Sequence, residues 1–410
     1  MTVGSSVASS PSREITTAEV LDTADRLARA FRTDASRRDA DRDLPHEQVR
    51  DIARSGLLAW SVPHEYGGPD VSATTLAEVF RLLASGDPSV AQIPQSHFTY
   101  LEALRLQGTP EQKAFFYGEV LAGKMLANAQ SERGPHPISV DTTVLVPGPD
   151  GYTVSGRKYY STGALYADWI VVRASLSDSA DGFEATTATP KALAFVPRDT
   201  PGLTITDDWD GMGQRTTASG TVLLDNVNVP TEHVVPFSGI FSRPTTYGAR
   251  AQLLHTALDV GIASAALDEG IRQAHRARPH FESNAERAVE DPLLIQIAGD
   301  LTVSVRAAQA LLKEAGRVVD GAGRDTTEDS AAEASIAVAT AKVAATRASL
   351  EASTVLFELG GTRSASHAGN LARYWRDART HTLHDAIRWK VQHIGRWTLS
   401  GEHPPRHGQI

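Results

Sequence analysis

Two histidines near the end of the chain occupy a segment that could move protons. The segment reads Arg379-Thr380-His381-Thr382-Leu383-His384-Asp385. An imidazole has an ordinary pKa of about 6.5, so either His381 or His384 could donate or accept a proton at neutral pH. Two histidines beside the single carboxylate of Asp385 do not make a convincing set of metal ligands. The segment therefore predicts acid–base chemistry and no metal site, and it leaves open which histidine handles the proton.

A second candidate pair comes much earlier, in Gln95-Ser96-His97-Phe98-Thr99-Tyr100. His97 and Tyr100 are three residues apart, which on a helix places both side chains on one face. A shared face supports a joint role, such as orienting a polar oxygen of a substrate. The competing interpretation is that one of them packs in the interior with its hydrogen bond satisfied.

Composition excludes several classes of function. The chain has 410 residues and no cysteine, which excludes disulfides, thiolate catalysis and iron–sulfur clusters. It carries 40 Lys and Arg against 49 Asp and Glu, a net charge of −9, so neither nucleic acid nor a membrane is an expected partner. No Walker-type or GxGxxG motif predicts a resident nicotinamide. No apolar run reaches the length of a membrane span and no signal peptide is evident, so a cytoplasmic location is expected.

The chain divides into three parts behind a Ser-rich tail, residues 1–13, which is expected to be disordered. Residues 14–122 have helical spacing of apolar residues, residues 123–237 are rich in Thr, Val, Ile and Tyr, and residues 238–410 are strongly helical. The predicted strands are 142–146, 152–154, 169–174, 192–196 and 221–224, and the predicted long helices are 252–275, 293–322 and 330–359. This order indicates an α+β protein built from several subdomains.

Four motifs follow one another along this layout. They are Gly156-Arg157-Lys158-Tyr159-Tyr160-Ser161-Thr162-Gly163-Ala164, then Phe195-Val196-Pro197-Arg198-Asp199-Thr200-Pro201-Gly202, then Trp209-Asp210-Gly211-Met212-Gly213-Gln214-Arg215, and then Leu359-Gly360-Gly361 with Tyr374-Trp375-Arg376-Asp377-Ala378-Arg379. At these motifs the chain resembles the acyl-CoA dehydrogenase superfamily. The resemblance implies an N-terminal helical domain, a middle β-barrel domain and a C-terminal four-helix bundle, with a flavin between the β domain and the bundle. It also implies a homotetramer in which a neighbouring subunit supplies part of the flavin site.

Two departures from the dehydrogenase pattern bear on the reaction. Family dehydrogenases place a catalytic glutamate just after the Arg-Asp-Ala segment, whereas no glutamate lies between Glu358 and Glu402 here. A carboxylate base is needed to remove the α-proton of a thioester at neutral pH, and Asp385 is a possible substitute. The family glycine motif also differs, with Phe357 at its Gln position and Arg363 at its last Gly position. A fixed cation there would crowd the adenosine arm of FAD, and it suits the terminal phosphate of FMN.

With these departures, the chain resembles the two-component flavin monooxygenases of this fold, such as the dibenzothiophene monooxygenases and the sulfur-acquisition oxidoreductases. The resemblance implies that a separate NAD(P)H-dependent flavin reductase supplies reduced FMN (FMNH2). It further implies that the reduced flavin reacts with O2 to form a C4a-hydroperoxyflavin, which oxygenates a small or aromatic substrate, expected to be organosulfur. Three alternatives stay open: an FAD-dependent acyl-CoA dehydrogenase, an N-hydroxylating or indole-oxygenating monooxygenase, and a non-catalytic flavin-binding scaffold.

The same resemblance implies roles for individual residues. Ser161 would hydrogen-bond the flavin near N5, His384 would lie over the reactive part of the ring, and His97 with Tyr100 would line the substrate pocket. The implied cofactor-binding residues are Asn128 at the pyrimidine edge, Trp209 beside the ring, Arg278 and Arg363 at the phosphate, and Ser161 and His384. Each also has an ordinary structural interpretation, such as a core aromatic for the tryptophan and a solvated surface cation for each arginine.

Overall fold

The computed structural model describes residues 15–410, so the predicted tail, residues 1–13, lies outside the described residues. Helices come first, then a sheet, then a second set of helices, which confirms the predicted α+β layout. The N-terminal helices are α1 (Thr17–Asp41), α2 (His46–Arg54), α3 (Ala73–Gly86), α4 (Pro88–Gln92), α5 (Gln95–Gln107) and α6 (Pro110–Leu121).

Helix α1 illustrates why this part of the chain is helical. The Thr16 side chain accepts a hydrogen bond from the backbone of Glu19, and the Glu19 side chain accepts one from the backbone of Thr16, which forms a capping box. Val20, Leu27 and Phe31 recur on one face and are buried. That face packs against α3, so the apolar spacing in the sequence becomes a helix–helix contact.

Eight strands form one sheet in the middle of the chain. They are β1 (Leu126–Ala129), β2 (Val144–Gly148), β3 (Gly151–Lys158), β4 (Trp169–Leu176), β5 (Lys191–Pro197), β6 (Leu203–Thr206), β7 (Thr221–Val229) and β8 (Val234–Pro236). Their order is β6-β7-β3-β2-β4-β5-β8, and β1 pairs in parallel with β4. All five predicted strands occur. Strands β1, β6 and β8 lack a sequence signal because runs of three or four residues carry too little alternation.

Five further α-helices follow the sheet. They are α7 (Tyr247–Ala274), α8 (Pro292–Arg324), α9 (Glu328–Gly360), α10 (Ala372–His381) and α11 (Ile387–Ser400). Helix α7 is buried along most of its length, because α3, α8 and α9 all pack against it. Polar side chains on such a helix must find partners inside the protein. Among residues 15–410, no helix is both long and apolar enough to cross a bilayer.

Gly86 allows the end of α3 to approach α1 closely. A Cβ added to Gly86 would lie 2.3 Å from the carbonyl oxygen of Ala28, so the two helices would have to move apart. We expect Gly86→Ala to lower the free energy of unfolding by about 1–3 kcal/mol, the range for overpacking. Gly118 in α6 is the matched control, because a Cβ added there meets nothing within 4 Å. Gly118→Ala should instead stabilise by about 0.5–1 kcal/mol, and equal effects in urea denaturation would contradict the close approach.

Candidate active site

A cavity of about 660 Å³ lies between the sheet and the C-terminal helices, within the size range of small-molecule sites. Its lining side chains include Gln95, Ser96, Thr99, Asn128, Gln130, Ser131, Ile138, Ser139, Arg173, Thr187, Lys191, Phe237, Ser238, Phe241, Tyr247, Gln252, His255, His384 and His407. None of the described residues on this wall is Asp or Glu. The cavity therefore presents imidazoles, amides, hydroxyls and cations to a ligand, but no carboxylate.

His384 and His255 form an imidazole pair on the wall. Their ring centroids lie 4.0 Å apart. Behind His384, Oδ2 of Asp385 is 3.2 Å from its Nδ1. Burial would raise the pKa of Asp385, but His384 and Lys390 outweigh it and hold that pKa well below its ordinary value. The ionised carboxylate fixes Nδ1–H of His384 in place, which leaves Nε2 available for proton exchange.

His381, the competitor of His384, lies behind His255 and is 1% exposed. Nδ1 of His255 is 3.2 Å from Nε2 of His381, and Nδ1 of His381 is 2.5 Å from Oδ1 of Asp259. Lys342 binds the other oxygen of Asp259, with Nζ 2.8 Å from Oδ2. We call Lys342, Asp259, His381 and His255 the histidine relay. Its hydrogen bonds leave Nε2 of His255 as an acceptor, provided that the rings are neutral.

Electrostatics support that arrangement of protons in the histidine relay. Burial would raise the pKa of Asp259, yet Lys342 and His381 lower it to about 2. Burial lowers the pKa of His255 well below its ordinary value, and the neighbouring His384 and His381 lower it further. Asp259 is therefore ionised and His255 neutral at pH 7. The structure places His384 and His255 on the cavity wall, and it places His381 one hydrogen bond away.

Tyr100 holds two amide side chains that line the cavity, those of Asn128 and Gln130. Its hydroxyl donates to Oδ1 of Asn128 at 2.9 Å and accepts from Nε2 of Gln130 at 2.7 Å. Nδ2 of Asn128 donates to the carbonyl of Tyr160 at 3.2 Å, and the Tyr160 and Trp209 ring centroids are 6.3 Å apart. Tyr100 is fully buried behind the two amides, so it orients the wall and does not form it. The structure thus brings Tyr100, Asn128 and Trp209 into one region.

Ser161 adjoins this region, and its hydroxyl has no hydrogen-bond partner among residues 15–410. It follows Tyr160, whose φ of +55° is the left-handed conformation that side chains other than glycine rarely adopt. The Oγ atom of Ser161 is buried and unpaired, although the backbone N–H donates to the carbonyl of Gly220 at 3.0 Å. An unpaired buried hydroxyl costs about 1–3 kcal/mol. Together with the strained residue before it, Ser161 is the kind of group for which a bound ligand supplies the missing partner.

His97 and the two predicted phosphate ligands lie off the cavity wall. His97 is fully buried, where Nδ1 accepts from the Leu126 N–H at 3.0 Å and Nε2 lies 2.8 Å from the Leu58 carbonyl. Arg363 donates from Nη1 to the carbonyl of Arg276 at 2.7 Å, which places Arg363 near the loop that contains Arg278. Both Arg278 and Arg363 are exposed. The structure therefore groups the two arginines together at one end of the bundle and separates them from the cavity.

The environment of His97 predicts a loss of stability in acid. Burial lowers its pKa to about 4, against the opposing effect of the Leu58 hydrogen bond. Between pH 6.5 and 4 the unfolded chain therefore binds more protons at His97 than the folded chain does. The contribution of neutral His97 to stability is fully present above about pH 6.5 and is lost as the pH falls toward 4. At pH 5 we expect His97 alone to cost about 2 kcal/mol. In urea denaturation, the free energy of unfolding of His97→Gln should fall less on acidification than that of the wild type. The surface variant His46→Gln should lose as much as the wild type. Equal losses in all three proteins would contradict this assignment.

Comparison with known proteins identifies the family. The model of the acyl-CoA dehydrogenase N-terminal domain matches residues 16–124, that of the middle domain matches residues 126–227, and that of the C-terminal domain matches residues 253–389. The chain belongs to the acyl-CoA dehydrogenase family. The predicted resemblance is confirmed at this level, and the cavity lies where the matched middle and C-terminal segments meet.

Similar family members narrow the branch. A dibenzothiophene monooxygenase of Rhodococcus qingshengii is 30% identical over 92% of each chain, and a probable FMNH2-dependent monooxygenase of Pseudomonas putida is 30% identical over 92% of this chain and 94% of that one. The structure of FMN-bound TdsC from a Paenibacillus species superposes with a TM-score of 0.89 and 32% identity, covering 95% of this chain and 100% of that one. These similarities place the chain in the flavin-dependent monooxygenase branch of the family.

The residues present fit the flavin that this branch of the family uses. An isoalloxazine edge carries both hydrogen-bond donors and acceptors, which the amides of Asn128 and Gln130 can match. The buried Oγ of Ser161, and the buried Oγ of Ser96 on the cavity wall, both lack partners within residues 15–410. Trp209 lies beside this region through Tyr160. The unpaired hydroxyls are the observation that a bound cofactor would explain.

Sequence reasoning did not identify several residues that the structure places at the site. Gln252, His255 and Asp259 lie on α7 at spacings of three and four, so they share a helix face and could have been found by that pattern. Gln252 donates to Oδ1 of Asp385 at 3.4 Å and accepts from Nζ of Lys390 at 3.0 Å. Arg173 and Lys191 also reach the wall, and neither has a spacing that would have identified it.

Proposed function

We propose that the chain is an FMNH2-dependent monooxygenase that transfers one atom of O2 to a small or aromatic organosulfur compound. The observation that carries this proposal is the composition of the cavity wall, which has three imidazoles, those of His255, His384 and His407, and no carboxylate among its described residues. Monooxygenation needs groups that deliver and hold protons, which histidines do near neutral pH. Reduced flavin, when bound, supplies the two electrons and activates O2.

The chain's own residues have separate tasks in this proposal. Ser161, Asn128 and Gln130 hold the polar edge of the flavin. His384 donates or accepts a proton through Nε2, because Asp385 engages its Nδ1. His255 presents a neutral acceptor because the histidine relay fixes its other nitrogen. Tyr100 positions Asn128 and does not touch the reactants.

The FAD-dependent dehydrogenase alternative requires a carboxylate that can reach the α-carbon of a thioester. Asp385 is the nearest candidate, but its side chain is 3% exposed and both of its oxygens have partners, His384 and Gln252. A buried, hydrogen-bonded aspartate whose pKa is held low is a poor base for a weakly acidic C–H. These contacts favour the monooxygenase over the dehydrogenase.

Delivery of reduced flavin requires a partner. The proposal includes an NAD(P)H-dependent flavin reductase, since no resident nicotinamide motif is present in the sequence. A reductase that draws on NAD(P)H is consistent with a cytoplasmic location. The proposal also includes a homotetramer, in which Arg278 and Arg363 bind the FMN phosphate of a neighbouring subunit. Their exposure and their common position at one end of the bundle support this arrangement.

Isotope labelling tests the proposed reaction directly. The protein is supplied with reduced FMN under ¹⁸O2, together with methyl phenyl sulfide, benzenesulfinate or indole in separate reactions. We expect one labelled oxygen atom in a product, and no labelled product when the protein is omitted. Labelled indole product alone would favour the indole-oxygenating alternative. Reduction of bound FAD by a thioester, with no labelled product from any compound, would contradict the proposal and support a dehydrogenase.

A further inference from the structure

Lys191 contributes to the cavity wall a cation that has no partner among residues 15–410. It is the first residue of β5 and is 9% exposed. Its backbone N–H donates to Oγ of Ser238 at 2.9 Å, which holds the start of the strand against the segment after β8. Lys191 lines the cavity, and its side chain makes no hydrogen bond or ion pair with residues 15–410. A nearly buried lysine without a counter-charge is rare in proteins and calls for an explanation.

The neighbouring charges do not neutralise Lys191. Lys158 has Nζ 2.6 Å from Glu132 and 3.0 Å from Asp141, and Arg173 has Nε 2.8 Å from the other oxygen of Asp141. The two carboxylates are therefore used by Lys158 and Arg173, and the three cations exceed them by one charge. Burial lowers the pKa of Lys191, and the attraction of Asp141 opposes that shift without forming a hydrogen bond. The unmatched positive charge faces the cavity.

The cavity that Lys191 lines also contains hydroxyl groups and an apolar surface. The hydroxyl-bearing residues Ser139, Thr187 and Ser238 line the same cavity. Phe237 and Phe241 also line it, with ring centroids 5.5 Å apart at a near-perpendicular angle. Hydroxyls beside a cation suit the oxygens of a sulfinate or carboxylate, and edge-to-face rings suit an apolar body.

We infer that the substrate of this enzyme is an anion, an organosulfur compound whose sulfinate or adjacent carboxylate group pairs with Lys191. This inference rests on the proposed function and narrows its substrate class. For a sulfinate, the reaction forms one S–O bond with an atom of O2 and yields a sulfonate. Sulfur loses two electrons, reduced flavin supplies two electrons and two protons, and the second oxygen atom leaves as water. Lys191 pairs with the anion before and after this step, so it determines specificity and is not a proton donor.

A binding measurement on the FMN-loaded protein tests this inference without requiring turnover. Benzenesulfinate and its neutral counterpart methyl phenyl sulfoxide are titrated by calorimetry into the wild type, Lys191→Met, Lys191→Arg and Lys313→Met. Lys313 is an exposed residue of α8 and serves as the matched control. We expect Lys191→Met to weaken sulfinate binding 10- to 100-fold, roughly the effect of losing one charge-assisted hydrogen bond. The sulfoxide should change less than about threefold, and Lys191→Arg should retain most of the sulfinate affinity.

The possible outcomes separate this inference from the proposed function. Selective loss of sulfinate binding in Lys191→Met supports the anion inference whether or not an oxygenated product forms. A lack of oxygenated product would count only against the proposed monooxygenase activity. Equal losses for both ligands, unchanged sulfinate binding, or no sulfinate binding by the wild type would overturn it. Oxygenation of methyl phenyl sulfide at the same rate by wild type and Lys191→Met, without sulfinate binding, would retain the monooxygenase and reject the anion pocket. The Tm of Lys191→Met should also be at or above that of the wild type. Removal of a lysine that stabilises the fold would instead lower the Tm.

Discussion

His384→Ala is expected to reduce product formation by about 10²- to 10³-fold, within the range for loss of a general acid–base group. The protein would still bind and consume reduced FMN, because Asn128, Gln130 and Ser161 lie on other elements and keep their positions. Without the imidazole, oxygen transfer would lose its proton source, and the electrons would appear as hydrogen peroxide. Product and peroxide are measured together in the same reaction, so the ratio of the two reports the coupling.

His46→Ala is the matched control for this experiment, since His46 begins α2 on the surface and does not line the cavity. Its product yield and peroxide release should equal those of the wild type. If His384→Ala also retains product formation within about threefold, His384 does not act as an acid or base. An equal loss in His255→Ala, with His384→Ala active, would transfer the role to the other imidazole.

Asp259→Ala is expected to lower the free energy of unfolding by about 3–5 kcal/mol, because it leaves Lys342 charged and unpaired in the interior. Both side chains are fully buried, and Nζ of Lys342 lies 2.8 Å from the carboxylate. Lys342→Met should cost a similar amount. The double variant Asp259→Leu/Lys342→Met should recover much of the stability, because neither charge of this buried pair remains.

Glu314→Ala provides the comparison, since Glu314 pairs with Arg317 on the exposed face of α8 at 2.7 Å. Such a surface pair contributes about 0–1 kcal/mol. Urea denaturation of all four variants gives the energies. A similar small cost for Asp259→Ala and Glu314→Ala would show that Lys342 finds another partner or leaves the core.

Losing Asp259 should also reduce product formation, because His381 and His255 would no longer have fixed tautomers.

Part of the site could be predicted from the sequence motifs, because each motif determines the backbone conformation of its own short segment. The resemblance at the motif around Ser161 predicted a hydroxyl that binds the flavin, and the structure has there a left-handed residue and a buried hydroxyl without a partner among residues 15–410. The histidine segment likewise predicted a proton-handling group, and His384 lies on the cavity wall. The long helices of the bundle were predicted nearly to their ends, because their apolar spacing continues over many turns.

The remaining site residues depend on contacts between distant parts of the chain. His255 gains its role from His381, 126 residues away, and no local pattern carries that pairing. His97 and Tyr100 share a helix face, but only tertiary packing decides that His97 bonds two backbone groups while Tyr100 orients Asn128. Lys191 is one lysine at the start of a strand. Its lack of a counter-charge among residues 15–410 is evident only in the structure, where Glu132 pairs with Lys158 and Asp141 pairs with Arg173.

Rapid mixing of reduced FMN with O2 tests most directly whether the protein controls the reaction of flavin with oxygen. The protein is equilibrated anaerobically with reduced FMN, oxygenated buffer is added, and the flavin spectrum is followed by stopped flow. We predict a lag before oxidised FMN appears, with a transient spectrum distinct from those of reduced and oxidised FMN. Addition of benzenesulfinate should shorten the lag in step with sulfonate formation. Oxidation at the rate of free FMN, with no transient and no effect of protein, would contradict the account.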